Sequence, residues 1–253
     1  GEVLIDGLKP YDSKKRKEVL KKIGVVFGQR TQLWWDLPLL ETYYLLKDIY
    51  EVSDEDFNER FTYLRKTLEL EKFIQSPVRT LSLGQRMRAD LAASLIHNPE
   101  ILFLDEPTIG LDVLVKEHII KAIKEINEKY NTTVILTTHD MNDIISLCNR
   151  VIIIDEGKIL FDGHIDEVKN RFGNIKNIFL SSDNFVADKL LSIYPEILID
   201  NENNNIKIEF DADKTNINDL MKTIFDCGDI KDISIKENDL SNVVKQIYEN
   251  KAF

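Results

Sequence analysis

An apolar run that ends in two adjacent carboxylates, Ile101–Leu104 followed by Asp105 and Glu106, sets the strongest limit on the fold. Short, nearly all-apolar runs predict strands buried on both faces of a parallel sheet, and Val134–Thr137 is a second such run. Isoleucines at helical spacing between the two runs predict a crossover helix: Ile119, Ile120, Ile123 and Ile126. Because ligands bind at the carboxyl ends of strands in open parallel sheets, the two acids are expected at a binding edge.

Residues 1–172 predict an α/β domain that carries an inserted helical subdomain over about residues 36–98. Further strands are expected at Glu2–Ile5 and Gly24–Gly28. The strand signals near the end of this region flank Glu156-Gly157-Lys158, which predicts a hairpin turn.

Residues 173–253 predict a separate, small α+β domain. Strand and helix signals alternate as β-α-β-β-α-β-α, which is the order of a ferredoxin-like sandwich with one further helix. The segments are Lys176–Ser182, Phe185–Tyr194, Ile197–Asp200, Ile206–Ala212, Ile217–Cys227, Ile230–Lys236 and Leu240–Asn250. Regulator binding, dimerisation and packing on the larger domain all remain open for this domain, although no pattern of side chains marks a ligand site.

The bulk properties exclude several functional classes. A net charge of −11 and a pI near 5.0 argue against nucleic acid as a partner, because phosphate backbones require a basic surface. No apolar run reaches the roughly 18 residues of a membrane span, so any membrane contact is expected to pass through another protein. The chain has no secretory leader, and Cys148 and Cys227 have no metal-spaced partner, which favours reduced thiols in the cytosol.

Ser82-Leu83-Gly84-Gln85 opens a helix predicted over Gln85–His97. The free N–H groups and the positive dipole end of such a helix start suit a phosphate. An ordinary serine N-cap followed by a glycine explains the same residues, and it is the preferred interpretation when this motif is taken alone.

Two further polar residues, Gln29 and His139, stand at the ends of predicted strands. His139 could reach a γ-phosphate, and Gln29 could contact Mg²⁺ or an attacking water. At the central strand, Asp105 suits Mg²⁺ while Glu106 suits an attacking water. Each of these residues also has a structural explanation, such as a solvated acidic turn closed by Pro107.

Taken together, in this order and spacing, the motifs closely resemble those of the nucleotide-binding subunits of ABC transporters, over about residues 1–172. The resemblance assigns Gln29 as the Q-loop glutamine, Leu81–Gln85 as the signature motif, Ile101–Asp105 as Walker B, Glu106 as the catalytic base, Gly110–Asp112 as the D-loop and His139 as the switch histidine. Leu83 departs from the glycine that is usual in the signature.

The resemblance also implies ATP and Mg²⁺ as ligands, a P-loop NTPase-like fold and a set of partners. Gln29, Glu106 and His139 are expected to be catalytic, and Asp105 and Gln29 to hold Mg²⁺. The nucleotide-binding residues are expected to be Ser82, Gly84, Gln85 and Asp112, which would contact ATP held by a second ATPase subunit. That subunit, identical or different, would pair head to tail, and closure of the dimer would drive separate integral membrane permease subunits at the cytoplasmic face of the cell membrane.

Residues 28–35, Gly-Gln-Arg-Thr-Gln-Leu-Trp-Trp, resemble a bacterial export-type subgroup whose membrane subunits are separate chains. Two adjacent tryptophans cannot both enter one core from a regular element. Either one of Trp34 and Trp35 is buried and the other partly exposed, or both lie on the groove that receives a membrane subunit's coupling helix.

A glycine-rich phosphate loop of the form G-x-x-x-x-G-K-[ST], the family's Walker A motif, does not occur in the 253 residues. Gly157-Lys158 is followed by Ile159 and belongs to the predicted hairpin. Since the first residue is Gly1 rather than methionine, the sequence predicts a chain cut from a longer protein, which by itself binds ATP poorly and hydrolyses it negligibly. The alternatives to a transporter ATPase are a catalytically silent regulatory module and a non-transport ABC ATPase.

Overall fold

The computed structural model describes residues 1–28, 30–167, 175–202 and 204–237, and the chain forms two compact units, Gly1–Leu147 and Cys148–Phe253. The first unit contains α1 (Arg16–Lys22), β1 (Ile23–Phe27), α2 (Leu39–Tyr50), α3 (Asp54–Thr67), a 3₁₀ turn (Val78–Thr80), α4 (Leu83–Leu95), β2 (Ile101–Asp105), α5 (Val113–Tyr130), β3 (Thr133–Thr137) and α6 (Met141–Leu147). The second contains β4 (Arg150–Asp155), β5 (Lys158–His164), β6 (Ile175–Ser181), α7 (Ala187–Ile193), β7 (Leu198–Glu202), β8 (Asn205–Asp211), α8 (Ile217–Phe225) and β9 (Asp232–Glu237). The predicted domain boundary at residue 172 lies outside the described residues and stays a prediction.

Three parallel strands, in the order β1-β2-β3, form the sheet of the first unit. Their register places Phe27 beside Asp105, and Asp105 beside Thr137. All three strands therefore end at the same level, and the residues that follow them meet at one edge of the sheet.

The prediction that these strands are buried on both faces is wrong. Val26, Leu102 and Leu104 are buried in the main core, whereas Phe27 and Ile135 are exposed. The core that the sheet shares with α4 and α5 lies on one face, so the alternating side chains of the other face stay more accessible.

The strand predicted at Glu2–Ile5 is not formed. Ile5 instead pairs with Leu8 through two backbone hydrogen bonds of 2.9 Å. Asp6 and Gly7 between them have φ angles of 49° and 73°, as a two-residue hairpin turn of type I′ requires. The Asp-Gly turn pairs Ile5 locally, so its hydrogen bonds do not extend a sheet.

The inserted helical region packs around aromatic side chains. Tyr43 of α2 lies 5.3 Å from Phe61 of α3, ring centre to ring centre, and Phe61 lies 5.2 Å from Phe57. Helix α3 is capped by Ser53, whose hydroxyl oxygen accepts the Asp56 N–H at 3.1 Å.

In the second unit, β4 and β5 form the predicted antiparallel hairpin, in which Glu156 and Gly157 have positive φ angles. The remaining strands form an antiparallel sheet in the order β7-β8-β6-β9. This is the ferredoxin-like arrangement that the sequence predicts, with buried Ile178, Ile208 and Leu220 in its core. The predicted helix Leu240–Asn250 lies outside the described residues.

Helix α4 carries a buried carboxylate, Asp90, in its mainly apolar buried face. One oxygen of Asp90 accepts the Thr31 hydroxyl at 3.0 Å and the Gln32 N–H at 3.2 Å. Burial raises the pKa of Asp90 to about 6, although these two bonds and the charge of Arg86 act to lower it. Asp90 thus fastens residues 31–33 to α4, and its ionised form carries a desolvation cost.

We expect Asp90→Asn to increase the free energy of unfolding above pH 6 by at most about 3 kcal/mol. The folded-state pKa lies above the unfolded value, so ionisation of Asp90 costs stability as the pH rises from about 4 through 6. The asparagine oxygen can accept the same two hydrogen bonds without the charge. Urea titrations at pH 4 and pH 8, followed by fluorescence of the two tryptophans, measure the change.

The exposed Asp48→Asn is the control, and we expect it to change stability by less than about 0.5 kcal/mol at either pH. An equal effect of Asp90→Asn at both pH values would contradict the assignment of a raised pKa to Asp90.

Candidate functional site

The carboxyl ends of β2 and β3 place three of the predicted site residues together. The backbone N–H of Glu106 donates to the Thr137 carbonyl at 3.0 Å, and the Thr137 hydroxyl donates to Oδ1 of Asp105 at 2.6 Å. His139 Nδ1 lies 2.9 Å from Oε1 of Glu106. Asp105, Glu106 and His139 therefore form one constellation, while their catalytic and metal-binding roles stay predictions.

The backbone at Glu106 leaves the sheet through a left-handed conformation, with a φ angle of 50°. Gly28 approaches this turn so closely that a Cβ at position 28 would stand 2.0 Å from the Glu106 carbonyl oxygen. The Gly28 N–H also donates to the Asp105 carbonyl at 2.7 Å. Only glycine fits at position 28. In the sequence, the indication of this close approach is that a glycine directly follows an apolar strand.

The pair formed by Glu106 and His139 faces solvent on the histidine side. The His139 side chain is 75% exposed and that of Glu106 is 31% exposed. The hydrogen bond and the charge of Glu106 raise the pKa of His139 above its ordinary value, with smaller contributions from the charges of Asp140 and Asp143. An imidazole held in this way is accessible to a ligand and is biased toward its protonated form.

The signature residues form the start of α4 as a capping box. The Ser82 oxygen accepts the Gln85 N–H at 3.3 Å, and the Gln85 side-chain oxygen accepts the Ser82 N–H at 2.9 Å. This agrees with the structural explanation of Ser82. The N–H groups of Leu83 and Gly84 in the first turn have no acceptor within the helix, so they remain suitable for an anion.

Gly84 is required by packing as well. A Cβ at Gly84 would stand 2.7 Å from Cγ1 of Val115, which lies in the first turn of α5. The start of α4 therefore touches the start of α5. Asp112 is the N-cap of α5, and its carboxylate accepts the Val115 N–H at 3.0 Å. The nucleotide-binding roles of Ser82, Gly84, Gln85 and Asp112 stay predictions.

Gln29, predicted both as catalytic and as a Mg²⁺ ligand, lies outside the described residues. Farther along this segment, Trp34 is 38% exposed and Trp35 is 48% exposed, so the interpretation that one tryptophan is buried is wrong. The buried residue is Leu33, which joins the main core and leaves both indole rings at the surface. The Arg86 guanidinium lies 5.0 Å from the centre of the Trp35 ring.

Within the described ranges, no group of three or more histidine, cysteine or acidic side chains could hold a metal ion. Of the two predicted Mg²⁺ ligands, only Asp105 lies within the described residues. Its carboxylate is exposed at the sheet edge and oriented by Thr137, which leaves an oxygen donor of the type that Mg²⁺ prefers. No helix among the described residues has the length and apolar character needed to cross a bilayer.

We expect Glu106→Gln to lower the pKa of His139 toward the usual imidazole value of about 6.5, because the variant removes both the charged acceptor and its field. With the native pair, the favourable contact is present at low pH and is lost as the pH rises through the raised pKa of His139. NMR titration of the imidazole resonances measures the shift.

His97 is an internal control, because burial lowers its pKa and its ring contacts the Ile23 carbonyl and Tyr50, which are not part of the constellation. A His139 pKa that does not change in Glu106→Gln would show that the pair does not persist in solution.

A family model described as ABC transporter matches residues 1–109. The chain is 33% identical to a putative ABC transporter ATP-binding protein of Clostridium acetobutylicum, over 71% of this chain and 64% of the relative. It is 31% identical to the energy-coupling factor transporter ATP-binding protein EcfA2 of Clostridium tetani, over 72% of this chain and 64% of that protein. The chain thus spans a little under two thirds of the length of these curated relatives.

Solved structures give the same result. A dimeric ATP-binding cassette in a post-hydrolysis state, bound to ADP and Pi, is 34% identical and has a TM-score of 0.57, over 65% of this chain and 73% of the cassette. The cbiO1 protein of Clostridium perfringens, part of the ABC transporter complex cbiONQ, is 27% identical with a TM-score of 0.59, over 67% and 68% of the two chains. The strand-end constellation, the capping box of α4 and these likenesses lead to one conclusion: the chain belongs to the ATP-binding cassette family of ABC transporters.

Proposed function

We propose that the protein containing this chain is the ATP-hydrolysing subunit of an ABC transporter. The observation that carries the proposal is the contact of 2.9 Å between Glu106 and His139, beside Asp105, at the carboxyl ends of parallel strands. A base, an accessible imidazole and an acidic oxygen donor at one sheet edge are the groups that phosphoryl transfer to water requires.

Asp105 is the proposed Mg²⁺ ligand, together with Gln29. Thr137 holds one oxygen of Asp105 and leaves the other available at the exposed edge. A Mg²⁺ ion held by Asp105 and Gln29 would supply positive charge that offsets the negative charge of a bound nucleotide's phosphates.

Glu106 is the proposed general base, and His139 the residue that senses the γ-phosphate. Since Oε1 of Glu106 is held by the imidazole, Oε2 is available to accept a hydrogen bond from the attacking water. The raised pKa of His139 favours the protonated ring, which can donate from Nε2 to a phosphate oxygen. Both residues act mainly by position, as is typical of phosphoryl transfer.

The start of α4 is the proposed half-site for a second ATP. Ser82, Gly84 and Gln85, with Asp112 nearby at the start of α5, would contact the γ-phosphate bound by a second ATPase subunit, and the free first-turn N–H groups are those of Leu83 and Gly84. The dimeric state of the solved relative supports pairing with a second subunit, and the head-to-tail arrangement stays a prediction from the family resemblance. The second subunit is either another copy or a related chain.

The proposed membrane partners are separate permease subunits, which would hold this protein at the cytoplasmic face of the membrane. The names of relatives support a transport role, since they include an energy-coupling factor transporter protein and a methionine import protein of Oenococcus oeni. Export as the direction stays a prediction that rests on residues 28–35. A catalytically silent module, the alternative proposal, would bind nucleotide without turnover.

In the full-length protein, we expect Glu106→Gln to lower kcat for ATP hydrolysis by at least about 100-fold, because the base is replaced by a group that cannot accept a proton. Affinity for ATP should change little, since the side chain keeps its size. The rate of phosphate release measures kcat, and a nucleotide-binding titration measures the affinity for ATP.

Glu100→Gln is the matched control, because Glu100 lies at the opposite end of the same strand, where it pairs with Lys22 at 3.1 Å. We expect Glu100→Gln to keep the wild-type kcat. Wild-type protein that binds ATP but shows no turnover above Glu106→Gln would favour the silent module.

The exposed pair Trp34 and Trp35 is proposed to contact the membrane subunits. We expect the double substitution Trp34→Ala and Trp35→Ala to retain basal ATP hydrolysis while ATP-driven transport falls at least about tenfold, because interface tryptophans commonly dominate binding energy. The exposed Tyr11→Ala, outside this segment, is the control. Full coupling in the double variant would contradict the assignment of this surface.

A further inference from the structure

A buried carboxylate, Asp143 of α6, lies beneath the Glu106–His139 pair. Among the described residues of the first unit, Asp143 is the only charged residue that has no exposed surface. Its oxygen Oδ2 accepts the hydroxyl of Thr108 and, at 3.3 Å, the hydroxyl of Thr138. Its oxygen Oδ1 forms an ion pair with Lys116 Nζ at 2.9 Å. Among the described residues, Oδ2 therefore accepts both hydroxyl hydrogen bonds, whereas Oδ1 accepts no hydrogen bond and is held by the charge of Lys116.

The three partners of Asp143 come from three different segments, each of which carries a predicted site residue. Thr108 follows Glu106 by two residues, Thr138 directly precedes His139, and Lys116 lies one turn after the cap of α5. Asp143 therefore connects the segments that carry Glu106, His139 and Asp112, which points to a role in the site in addition to stability.

The Thr138 hydroxyl also accepts the backbone N–H of Asp140 at 3.0 Å, so it fixes the main chain on both sides of His139. Lys116 pairs with Asp140 as well as with Asp143. Burial acts to lower the pKa of Lys116, but its two carboxylate partners outweigh burial and raise it. The ammonium group therefore stays charged and compensates the two carboxylates.

Burying a carboxylate costs several kcal/mol unless it is paired and hydrogen-bonded, so Asp143 holds its partners firmly in one arrangement. If one hydroxyl were withdrawn, the loop that carries it would lose its anchor, although the strands themselves would remain paired. The distance between Glu106 and His139 depends on both loops at once.

We propose that Asp143 is a positioning residue that clamps the Glu106 loop and the His139 loop together so that carboxylate and imidazole meet. The consequence for turnover rests on the ATPase function proposed above, whereas the clamp itself does not. Asp143 touches no reacting atom and acts through Thr108 and Thr138.

The acidic groups that face His139 are Glu106, Asp140 and Asp143, and Lys116 is the nearby cation. Because a change in any of these charges would shift the pKa of His139 directly, the test removes hydroxyl groups instead. Thr108→Val and Thr138→Val each delete one hydrogen bond to Asp143 at nearly constant volume. Because Thr138→Val also removes the acceptor of the Asp140 N–H, Thr108→Val is the variant that tests the Asp143 contact alone. Thr138→Ser restores the hydroxyl. Thr132→Val is the matched control, because Thr132 is also buried but precedes β3 at the opposite end of the sheet.

In the full-length protein, we expect both valine variants to lower kcat by roughly ten- to a hundredfold with little change in KM. The pKa of His139, measured by NMR without nucleotide, should fall toward about 6.5 in both variants. Thr138→Ser and Thr132→Val should keep the wild-type pKa and kcat.

A folded valine variant in which His139 keeps its wild-type pKa would overturn the proposal. If Thr108→Val does not fold, Thr108→Ala deletes the same hydroxyl and Thr108→Ser keeps it, so the comparison of these two variants decides the question. A wild-type protein without ATP turnover would refute the proposed function, while the pKa of His139 would still test the clamp.

Discussion

The in-register pairing of three parallel strands is the constraint on which the candidate site depends. Because Phe27, Asp105 and Thr137 lie side by side, the chain leaves β1, β2 and β3 at one level. Main-chain hydrogen bonds set this level. Strand register therefore brings the polar residues that follow the strands to one edge, where Glu106 and His139 can pair directly.

Two further contacts turn this edge into a defined geometry. Gly28 lets the neighbouring segment approach the turn at Glu106 more closely than any side chain would allow. Asp143 ties the two loops from below, through hydroxyl groups and with Lys116 as its counter-ion. The exposed groups at the edge are thus supported by a glycine contact and a buried charge, which restrict how far each loop can move.

The same sheet shows where prediction from sequence succeeds and where it fails. Strand positions and the helix stripe were predictable, because apolar runs and helical spacing follow directly from burial. The exposure of Phe27 and Ile135 was not, since an apolar strand has the same sequence pattern whether one face or both faces are covered. The strand predicted at Glu2–Ile5 failed for a local reason, as Asp6 and Gly7 form a tight turn that pairs Ile5 with Leu8.

The sequence by itself determined the family, the order of the motifs and the identities of Asp105, Glu106 and His139, because chemistry of this type requires particular side chains after particular strands. It also determined the ferredoxin-like order of the second unit. Only the tertiary structure decided that Glu106 meets His139 and that Asp143 joins two loops to helix α5. These contacts connect positions up to 35 residues apart, and their geometry depends on strand register and packing, which no local pattern encodes.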